Sequence, residues 1–351
     1  MTVFLILLHS LALFLSHGDV DVTGADHRRE VSQLRGPVRE ASQGVATMVR
    51  RSGLTRNGSG NYRFTDPNTD FLCPGQRFAG QPAPEAVECG ATLVAPDLVS
   101  VAAHCMQEEL YGSCKDAWSF VFDYTNNRTE FPEDNVYNCK ELAQPMILGN
   151  GVDVALIRLD RPVKNFKPIP LSEAPLREGD QLTLVGPTKG LPLKASSGRI
   201  RYMNSDPADR SGIGTDFDCS GKNSGSPVLN GRGESVGILI ASGVLNTTPE
   251  PEVVIKENED KSARSQPEAA PQTKPSTNKC YEWTTQPPSD TRGAYTPNPN
   301  HPADYGNMGV LAKGCVFIPH RYYMDKYRAT INGETPSPAR PLPLGPPRTR
   351  Q

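Results

Sequence analysis

The sequence predicts an all-β fold, a barrel or a sandwich, from three observations. Short runs rich in β-branched and aromatic residues alternate with turn residues from Cys73 to Gly243, as expected for many short strands. Pro and Gly are abundant, at 33 and 31 of 351 residues, and hydrophobic residues make up only 36% of the chain, which argues against a helical bundle. The predicted strands are the runs GVATMV, ATLVA, LVSVAA, WSFVFDY, VYNCKEL, VDVALIRL, QLTLVG, GRIRYM, SPVLN and SVGILIA.

The charge balance excludes two classes of partner. Lys and Arg number 37 and Asp and Glu number 39, so the formal net charge is −2. A chain with so little net charge has no general attraction for nucleic acid or for an anionic membrane. We therefore expect neither as a partner.

The start of the chain, MTVFLILLHSLALFLSHG, predicts a secretory signal peptide over residues 1–18. Its apolar run of about 13 residues is shorter than the roughly 20 that a membrane-spanning helix needs. Ser16 and Gly18 offer small side chains for cleavage after Gly18. We expect a secreted, extracellular protein that has no membrane partner once the signal is removed.

The eight cysteines fit such a compartment. An even number of cysteines in an exported chain is typical of up to four disulfides. A zinc site is the competing use, but the chain has no C-x-x-C pair and only four histidines beyond the signal. We therefore predict disulfide bonds and no metal.

Composition divides the rest of the chain into regions. Residues 19–40 are charged and unpatterned and are interpreted as a pro-segment or a flexible arm. The folded domain is predicted over 41–332, with a low-complexity insertion at 246–308 that is at least partly disordered. A strand and an amphipathic helix from about Arg321 to Ile331 close the domain, and residues 333–351 form a disordered tail rich in Pro and Arg.

Three short segments carry candidate chemistry. CGATLVAPDLVSVAAHC predicts a hairpin bracketed by two cysteines, which delivers His104 at the end of a strand. GVDVALIRLDRPV places Asp153 at the start of an apolar strand, where its carboxylate can be buried and aimed at a partner. DCSGKNSGSPVLN presents Ser224 on a tight turn before a short strand.

These three residue types together can build a nucleophilic site. A serine hydroxyl is a poor nucleophile until an imidazole takes its proton, and a buried carboxylate holds that imidazole in one tautomer. Backbone N–H groups near the serine can then receive the developing oxyanion. Taken singly, each residue is more often structural. Their joint occurrence in the order His, Asp, Ser, each at the edge of a strand, favours the catalytic interpretation.

The segments AAHC, DVALIRLDRPV and NSGSPV resemble the three catalytic segments of the chymotrypsin-fold (trypsin-like) serine peptidases. The resemblance covers about residues 73–243 and the closing strand and helix at 314–331. The form NSGSPV, with CPGQRFAGQP, VYNCKEL and GLPLK, is most similar to the glutamyl-endopeptidase branch and related bacterial trypsin-like peptidases. The resemblance implies two six-stranded antiparallel β-barrels, a site in the cleft between them and a C-terminal helix packed on the outside.

Carried over residue by residue, the resemblance implies His104 as general base, Asp153 as its orienting carboxylate and Ser224 as nucleophile. The backbone N–H groups of Lys222 and Ser224 would form the oxyanion hole. The implied chemistry is acyl-enzyme catalysis with no metal and no organic cofactor.

The resemblance also implies a disulfide between Cys89 and Cys105, next to the histidine. Six cysteines remain, and they allow fifteen pairings. From their positions along the chain we predict the set Cys280–Cys315, Cys114–Cys139 and Cys73–Cys219. A bridge from Cys219 would brace the loop that carries the nucleophile.

Two residues beside Ser224 depart from the family pattern. Asn223 stands where trypsin-like enzymes carry an Asp that accepts a new N-terminal ammonium, so that route of activation is lost, although Asn is normal in the glutamyl-endopeptidase branch. Lys222 stands where Gly is usual, because the peptide takes an orientation that is difficult for a residue with a Cβ atom. A lost oxyanion donor would slow catalysis by about 10²–10³-fold. We expect instead that the loop adapts and that Lys222 faces solvent.

The candidate residues of the specificity pocket are Asp218, Leu239 and Ile240. Leu239, in GILIASG, replaces the His of the GIHWGG pattern of glutamyl endopeptidases, which removes the main support for a preference for Glu. Asp218 lies six residues before Ser224, where trypsins keep the Asp that binds Lys or Arg side chains. Basic specificity is one interpretation. We favour the other, a turn-stabilising Asp of the kind found in related DTFGGNSG sequences.

The sequence therefore predicts a secreted serine-type endopeptidase, a hydrolase that acts as a monomer on a protein or peptide substrate. Two alternatives stay open. A catalytically silent protease-fold module that binds a protein ligand is favoured by Lys222 and by the long insertion. A serine esterase would use the same three residues, and turnover of small esters without peptide cleavage would identify it.

Overall fold

A computed structural model describes most of the region predicted to be folded. The described residues are 22–23, 25–106, 114–126, 128–144, 147–149, 152–203, 212–243, 280–283, 285–286 and 314–333. The predicted signal peptide, most of the predicted insertion and nearly all of the predicted tail lie outside these ranges.

Within the described residues the chain forms nineteen strands. The first ten are β1 (Val22–Thr23), β2 (Arg29–Glu30), β3 (Val45–Arg50), β4 (Leu54–Arg56), β5 (Tyr62–Phe64), β6 (Val87–Ala95), β7 (Leu98–Val101), β8 (Trp118–Phe122), β9 (Glu130–Phe131) and β10 (Val136–Leu142). The others are β11 (Ile147–Gly149), β12 (Val152–Leu159), β13 (Gln181–Gly186), β14 (Lys194–Tyr202), β15 (Ile213–Thr215), β16 (Pro227–Leu229), β17 (Ser235–Gly243), β18 (Thr285–Gln286) and β19 (Gly314–Pro319).

The helices are few and short. They are α1 (Gly36–Ala41), α2 (Cys114–Ala117) and α3 (Met324–Ile331) among the described residues. The closing helix was predicted from about Arg321, but the structure forms a 3₁₀ turn over His320–Tyr322 and begins α3 at Met324. None of the described helices is long and apolar enough to cross a membrane.

Two closed antiparallel barrels contain most of the strands. The first has the ring order β10-β8-β3-β6-β7-β12, closed by pairing of β10 with β12, and β11 extends it beside β12. The second has the ring order β13-β16-β17-β19-β15-β14, closed by pairing of β13 with β14, and β2 extends it beside β14. The chain therefore has the all-β, chymotrypsin-like fold of two six-stranded barrels, and the fold prediction is confirmed.

The pattern of side chains in β12 shows why its sequence is almost continuously apolar. Ala155, Ile157 and Leu159 belong to the core of the first barrel. The alternate residues Val154 and Leu156 pack instead in a second cluster that includes residues of β17, β19 and α3. Because successive residues of a strand point to opposite faces, a strand buried on both faces needs apolar residues at nearly every position.

The C-terminal helix packs on the same cluster between the barrels. Tyr323 and Tyr327 are buried there, and the Tyr327 hydroxyl donates to the backbone carbonyl of Val154 at 3.0 Å. His320, just before the helix, is fully buried, and burial lowers its pKa to about 3. The helix thus packs against β12, the strand that contains Asp153.

Four disulfides join the eight cysteines. The Cys89–Cys105 and Cys114–Cys139 bonds are as predicted. The other two predicted pairs are wrong, since the structure forms Cys73–Cys280 and Cys219–Cys315. Linear order misled this prediction, because β19 pairs with β15 and β17 and so carries Cys315 to the loop of Cys219, while Cys280 lies against residues near Cys73. A bridge from Cys219 does brace the loop before Ser224.

Candidate active site

His104 lies just after the end of a strand of the first barrel. β7 ends at Val101, and Ala103–Met106 form a short 3₁₀ turn that carries the imidazole. The Cys105–Cys89 disulfide ties this turn to the neighbouring strand β6. The His104 side chain is 32% exposed, so the imidazole is supported on one side and accessible on the other.

Asp153 reaches the imidazole from the next strand. It is the second residue of β12, which pairs with β7, and it is 7% exposed. One carboxylate oxygen accepts the backbone N–H of His104 at 2.9 Å, and the other lies 2.5 Å from His104 Nδ1. An ionised carboxylate only accepts hydrogen bonds, so Nδ1 carries the proton and Nε2 is left as the basic nitrogen. This is the orientation that a general base requires.

Ser224 is held beside this turn by its neighbours. Its backbone carbonyl accepts the N–H of Gly90 from β6 at 2.8 Å, which is a direct contact between the two barrels. Gly225 has φ +80°, and a Cβ atom added there would lie only 2.3 Å from the Gly90 carbonyl oxygen and 3.0 Å from Ala102 N. The turn therefore needs glycine at 225, both for its backbone conformation and for its close approach to the residues just before His104.

The serine side chain does not close the triad in this structure. Among the described residues, no hydrogen bond joins the Ser224 hydroxyl to His104 or to any other group. Catalytic hydrogen bonds are often long in structures without substrate, and they tighten when substrate binds. The structure thus brings His104 and Asp153 into contact and brings the Ser224 turn against the His104 turn.

The residue after the turn shows how tightly this region is packed. Ser226 is fully buried, and its hydroxyl lacks a partner within the described part of the chain. Cβ atoms added to Gly90 in β6 and Gly186 in β13 would lie 2.1 Å and 1.8 Å from the Ser226 Oγ atom. Ser226 therefore fills the space between two strands, one from each barrel, that only glycine leaves open.

The predicted oxyanion donors are available. In the described residues, neither the Lys222 N–H nor the Ser224 N–H has a hydrogen-bond partner, whereas the N–H groups of Asn223 and Gly225 are paired with Ser220 and Leu239 carbonyls. An oxyanion hole needs backbone donors that the fold has not already used. Within 222–225 the N–H groups of Lys222 and Ser224 are thus left unpaired, and their role as oxyanion donors stays a prediction.

Lys222 is half-buried, and its side chain is anchored and does not extend freely into solvent as predicted. Its backbone has φ +75°, a left-handed conformation that strains residues with a Cβ atom. Its side chain is half-buried and crosses to the first barrel, where Nζ donates to the Glu85 carbonyl at 2.9 Å. Burial lowers the pKa of the Lys222 ammonium, and nearby Glu88 partly opposes this. The loop does adapt, but it does so with the lysine anchored across the barrel boundary.

Asn223 is satisfied as a neutral amide. Its Oδ1 atom accepts the N–H of Ser220 at 3.0 Å and the Thr188 hydroxyl at 2.8 Å, and its Nδ2 donates to the Pro187 carbonyl at 2.8 Å. A carboxylate at this position could not make the last of these bonds, because it has no proton to donate. The residue is buried and fixes the loop of Ser224 without any charged partner.

The three residues predicted to form the specificity pocket lie in buried surroundings. Asp218 is 4% exposed, and its Oδ2 atom accepts the backbone N–H of His27 at 2.8 Å. Leu239 belongs to the core of the second barrel and Ile240 to the cluster between the barrels. Sequence reasoning missed His27, because no local signal marks a contact across 191 residues.

One cluster of three potential metal ligands occurs among the described residues, formed by Cys89, His104 and Cys105. Both sulfur atoms are joined in a disulfide, so neither offers the thiolate that metal binding requires. The histidine is engaged by Asp153. These residues support an acid–base site.

Comparison with known proteins agrees with this geometry. Residues 89–238 match the sequence model of the trypsin-like peptidase domain, a region that contains His104, Asp153 and Ser224 but fewer than half of the 351 residues. The chain is therefore similar to the trypsin-like peptidases over that region and has their fold. No curated protein matches the sequence.

Solved structures of the Rv3671c protease are similar to the chain in part. A serine-to-alanine mutant from M. tuberculosis H37Rv, in an inactive form, aligns with a TM-score of 0.37 at 14% identity, over 58% of this chain and 77% of that chain. A second structure of the Rv3671c protease in an inactive form aligns with a TM-score of 0.37 at 15% identity, over 60% of this chain and 83% of that chain.

Proposed function

We propose that the protein is a secreted serine endopeptidase that cleaves peptide bonds through His104, Asp153 and Ser224. The observation that carries the proposal is the double contact of the Asp153 carboxylate with His104, at 2.9 Å to its backbone N–H and 2.5 Å to Nδ1. A carboxylate that orients a histidine in this way, beside a serine on a glycine-flanked turn, has the parts of a nucleophilic hydrolase.

The proposed reaction proceeds in two steps. Ser224 Oγ attacks the carbonyl carbon of the substrate while its proton passes to His104 Nε2, and the N–H groups of Ser224 and Lys222 receive the oxyanion. His104 then gives the proton to the leaving amine, and the acyl group remains on Ser224. A water molecule attacks this ester with His104 again as base, which releases the acid and restores the serine.

Two features support an extracellular site of action. The described residues contain four disulfides and no free cysteine, and such bonds persist in oxidising compartments. The apolar start of the sequence is typical of a secretory signal. A protein or peptide as the sole partner, a monomeric state and the absence of any cofactor are parts of the same proposal.

The finer likeness to the glutamyl-endopeptidase branch is part of the proposal as well. NSGSPV supports it, and so does the neutral environment of Asn223, which needs no N-terminal ammonium. A preference for Glu is not included, because Leu239 is a core residue and offers no charge to a substrate.

The alternative, a silent protease-fold module that binds a protein ligand, is favoured by two observations. The Ser224 hydroxyl makes no hydrogen bond among the described residues, and Lys222 occupies a position where glycine is usual. A silent site would still have the His104–Asp153 contact but would not activate the serine.

Labelling with a fluorophosphonate probe separates the two functions. The secreted protein is compared with Ser224→Ala, His104→Ala and Ser52→Ala, the last a change at an exposed serine outside the candidate site and outside residues 25–34. We expect labelling of the wild type and of Ser52→Ala, and none of the other two. Folded wild-type protein that takes no label would exclude the enzyme. Hydrolysis of small esters without cleavage of peptides would identify an esterase instead.

A further inference from the structure

Residues 25–34 are built into the second barrel, although their sequence is interpreted as part of a pro-segment or a flexible arm. Strand β2 pairs with β14, so that Glu30 lies opposite Lys194. Val31 and Leu34 are buried and pack in one cluster with apolar residues of β3, β13, β14 and β16. Loss of the segment would expose that cluster, which is a substantial cost in apolar surface.

A buried arginine anchors the segment. Arg28 is 0% exposed, and its Nε and Nη2 atoms donate to both carboxylate oxygens of Asp26 at 3.0 Å and 2.8 Å. Its guanidinium carbon lies 3.7 Å from the ring centroid of Trp283, which is itself buried. Arg77 donates to the backbone carbonyls of Asp26 and Arg28. A guanidinium is tolerated inside a protein only with such partners, so this arrangement is specific to the folded segment.

A second buried cation depends on the same segment. Lys194 is 3% exposed, and its Nζ donates to Glu30 at 3.2 Å, to Gln81 at 2.7 Å and to the Pro192 carbonyl at 3.0 Å. Without Glu30 the ammonium would keep two neutral acceptors and lose its carboxylate. Removing one partner of a buried ion pair leaves an uncompensated charge, which is strongly destabilising.

The segment also contacts the loop that carries the nucleophile. The His27 N–H donates to Asp218 Oδ2, and the Asp218 N–H donates in turn to the Ser196 hydroxyl at 2.8 Å. Asp218 is followed directly by Cys219, which is bonded to Cys315. Beyond these residues the loop is also held by Asn223, which bonds to Thr188 and Pro187, and it ends at Ser224. The first residue of this loop is therefore fixed by the N-terminal segment.

We propose that residues 25–34 remain in the working protein and that the His27–Asp218 hydrogen bond makes Asp218 a positioning residue for the Ser224 loop. Asp218 then acts through the loop and does not select basic side chains in the substrate. In trypsin-like enzymes the Asp that stands in place of Asn223 accepts an N-terminal ammonium, which Asn223 cannot do. In this protein the retained segment holds the loop in place of that ion pair. Only the expected rates of labelling and of peptide cleavage rest on the proposed function.

The test compares paired variants of the full-length protein. Arg28→Ala removes the anchor, and Arg29→Ala, at an exposed neighbour, makes the same change of charge. Asp218→Ala removes the acceptor of the His27 N–H, and Asp218→Asn keeps one acceptor oxygen. For each we measure the rate of fluorophosphonate labelling, the amide hydrogen exchange of residues 218–225 and the N-terminal mass of the secreted chain.

The expected results separate positioning from specificity. Arg28→Ala and Asp218→Ala label at least about tenfold more slowly and exchange faster over 218–225, whereas Arg29→Ala stays within about twofold of the wild type. The labelling rate falls less in Asp218→Asn than in Asp218→Ala. In both variants kcat for peptide cleavage falls. The decrease is the same for peptides with a basic residue before the cleaved bond and for peptides with an apolar residue there. The secreted chain still contains residues 25–34.

Three results would overturn the inference. The first is a secreted, active chain that begins after Leu34. The second is a loss in Asp218→Ala that is confined to substrates with Lys or Arg. The third is exchange over 218–225 that Asp218→Ala leaves unchanged, a measurement that remains decisive if Arg28→Ala does not fold. If the wild type takes no label, the proposed function fails, and the exchange and mass measurements still decide whether the segment orders the loop.

Discussion

In the first barrel, His104 and Asp153 are held by contacts between adjacent strands, whereas in the second barrel the loop of Ser224 is held by segments from distant parts of the chain. The His104–Asp153 hydrogen bonds span 49 residues, and the Cys89–Cys105 disulfide spans 16. On the other side, the His27–Asp218 bond spans 191 residues and the Lys222–Glu85 bond spans 137.

The half of the site that contains His104 and Asp153 is therefore local, because adjacent strands hold it. The half that contains Ser224 is assembled, because segments distant in the sequence hold it. Adjacent strands of the first barrel fix the relation between Asp153 and His104. The loop of Ser224 contacts the N-terminal segment, the Cys315 strand and the 85–88 region of the first barrel. Loops with many distant partners depend on the stability of all of them, so we expect the second half to be the more easily disturbed.

The largest expected effect concerns the local half. Asp153→Asn keeps the size of the side chain and an acceptor for the His104 N–H, but it no longer selects the tautomer with the proton on Nδ1. We expect kcat with a peptide substrate to fall on the order of 10⁴-fold, with little change in thermal stability. A decrease in kcat of less than about tenfold would mean that Asp153 does not orient His104. The difference between the two halves of the site would then not matter for catalysis.

The next prediction compares the disulfides of the two halves. Cys219–Cys315 closes a loop of 96 residues and Cys89–Cys105 one of 16. In the chain-entropy account, removing the longer bridge costs roughly 5 kcal/mol of unfolding free energy and removing the shorter one roughly 3 kcal/mol. Double Cys→Ala variants, unfolded in urea, measure both. Equal losses of unfolding free energy, or a larger loss for Cys89–Cys105, would contradict the view that bonds between distant residues stabilise the Ser224 half of the site.

Lys194 gives a pH-dependent test of the N-terminal anchor. Burial lowers its folded-state pKa to about 8 from an unfolded value of 10.5, and Glu30 partly opposes this. Between these values the unfolded chain binds more protons, so the contribution of Lys194 to stability rises with pH, by up to ~3 kcal/mol. Urea unfolding from about pH 7 to about pH 10 measures the rise, and Lys194→Met should remove it. The same rise in the variant would refute the assignment to Lys194.

The smallest predicted effect separates strain from anchoring at Lys222. Lys222→Met keeps the Cβ atom at φ +75° and loses the Nζ–Glu85 hydrogen bond, whereas Lys222→Gly loses the bond and relieves the backbone. We expect the Gly variant to be more stable than the Met variant by about 1 kcal/mol. Both keep the backbone N–H and should still label with a fluorophosphonate. Equal stabilities would show that the left-handed backbone is unstrained.

The sequence predicts the local half of the site well. Each run predicted as a strand overlaps a strand of one of the two barrels. These strands are buried on one face or on both, and such burial leaves a pattern in the residues. His104 and Asp153 each stand at the end of such a run. The Cys89–Cys105 bond brackets one hairpin and follows from the same segment.

The assembled half could not be predicted to the same extent. The charged residues of 25–34 resemble a solvated arm in composition, and only the fold shows that Arg28 is buried against Trp283 and that Glu30 pairs with the buried Lys194. The Lys222 side chain gives no local sign of its carbonyl acceptor 137 residues away. Cysteine pairing fails for the same reason, since neighbours in sequence were assumed to be neighbours in space. Long-range contacts of polar groups leave no periodic pattern.

The position of Ser226 has a consequence for the biosynthesis of the protein. Its hydroxyl lies between Gly90 of one barrel and Gly186 of the other, so we expect the Ser224 turn to reach its final place only when both barrels have docked. We expect a nascent chain that has completed only the first barrel to pair His104 with Asp153 but to have no serine beside them. On the proposed function, we expect the exporting cell to be protected from premature proteolysis by the order of assembly itself, before any propeptide or inhibitor is needed.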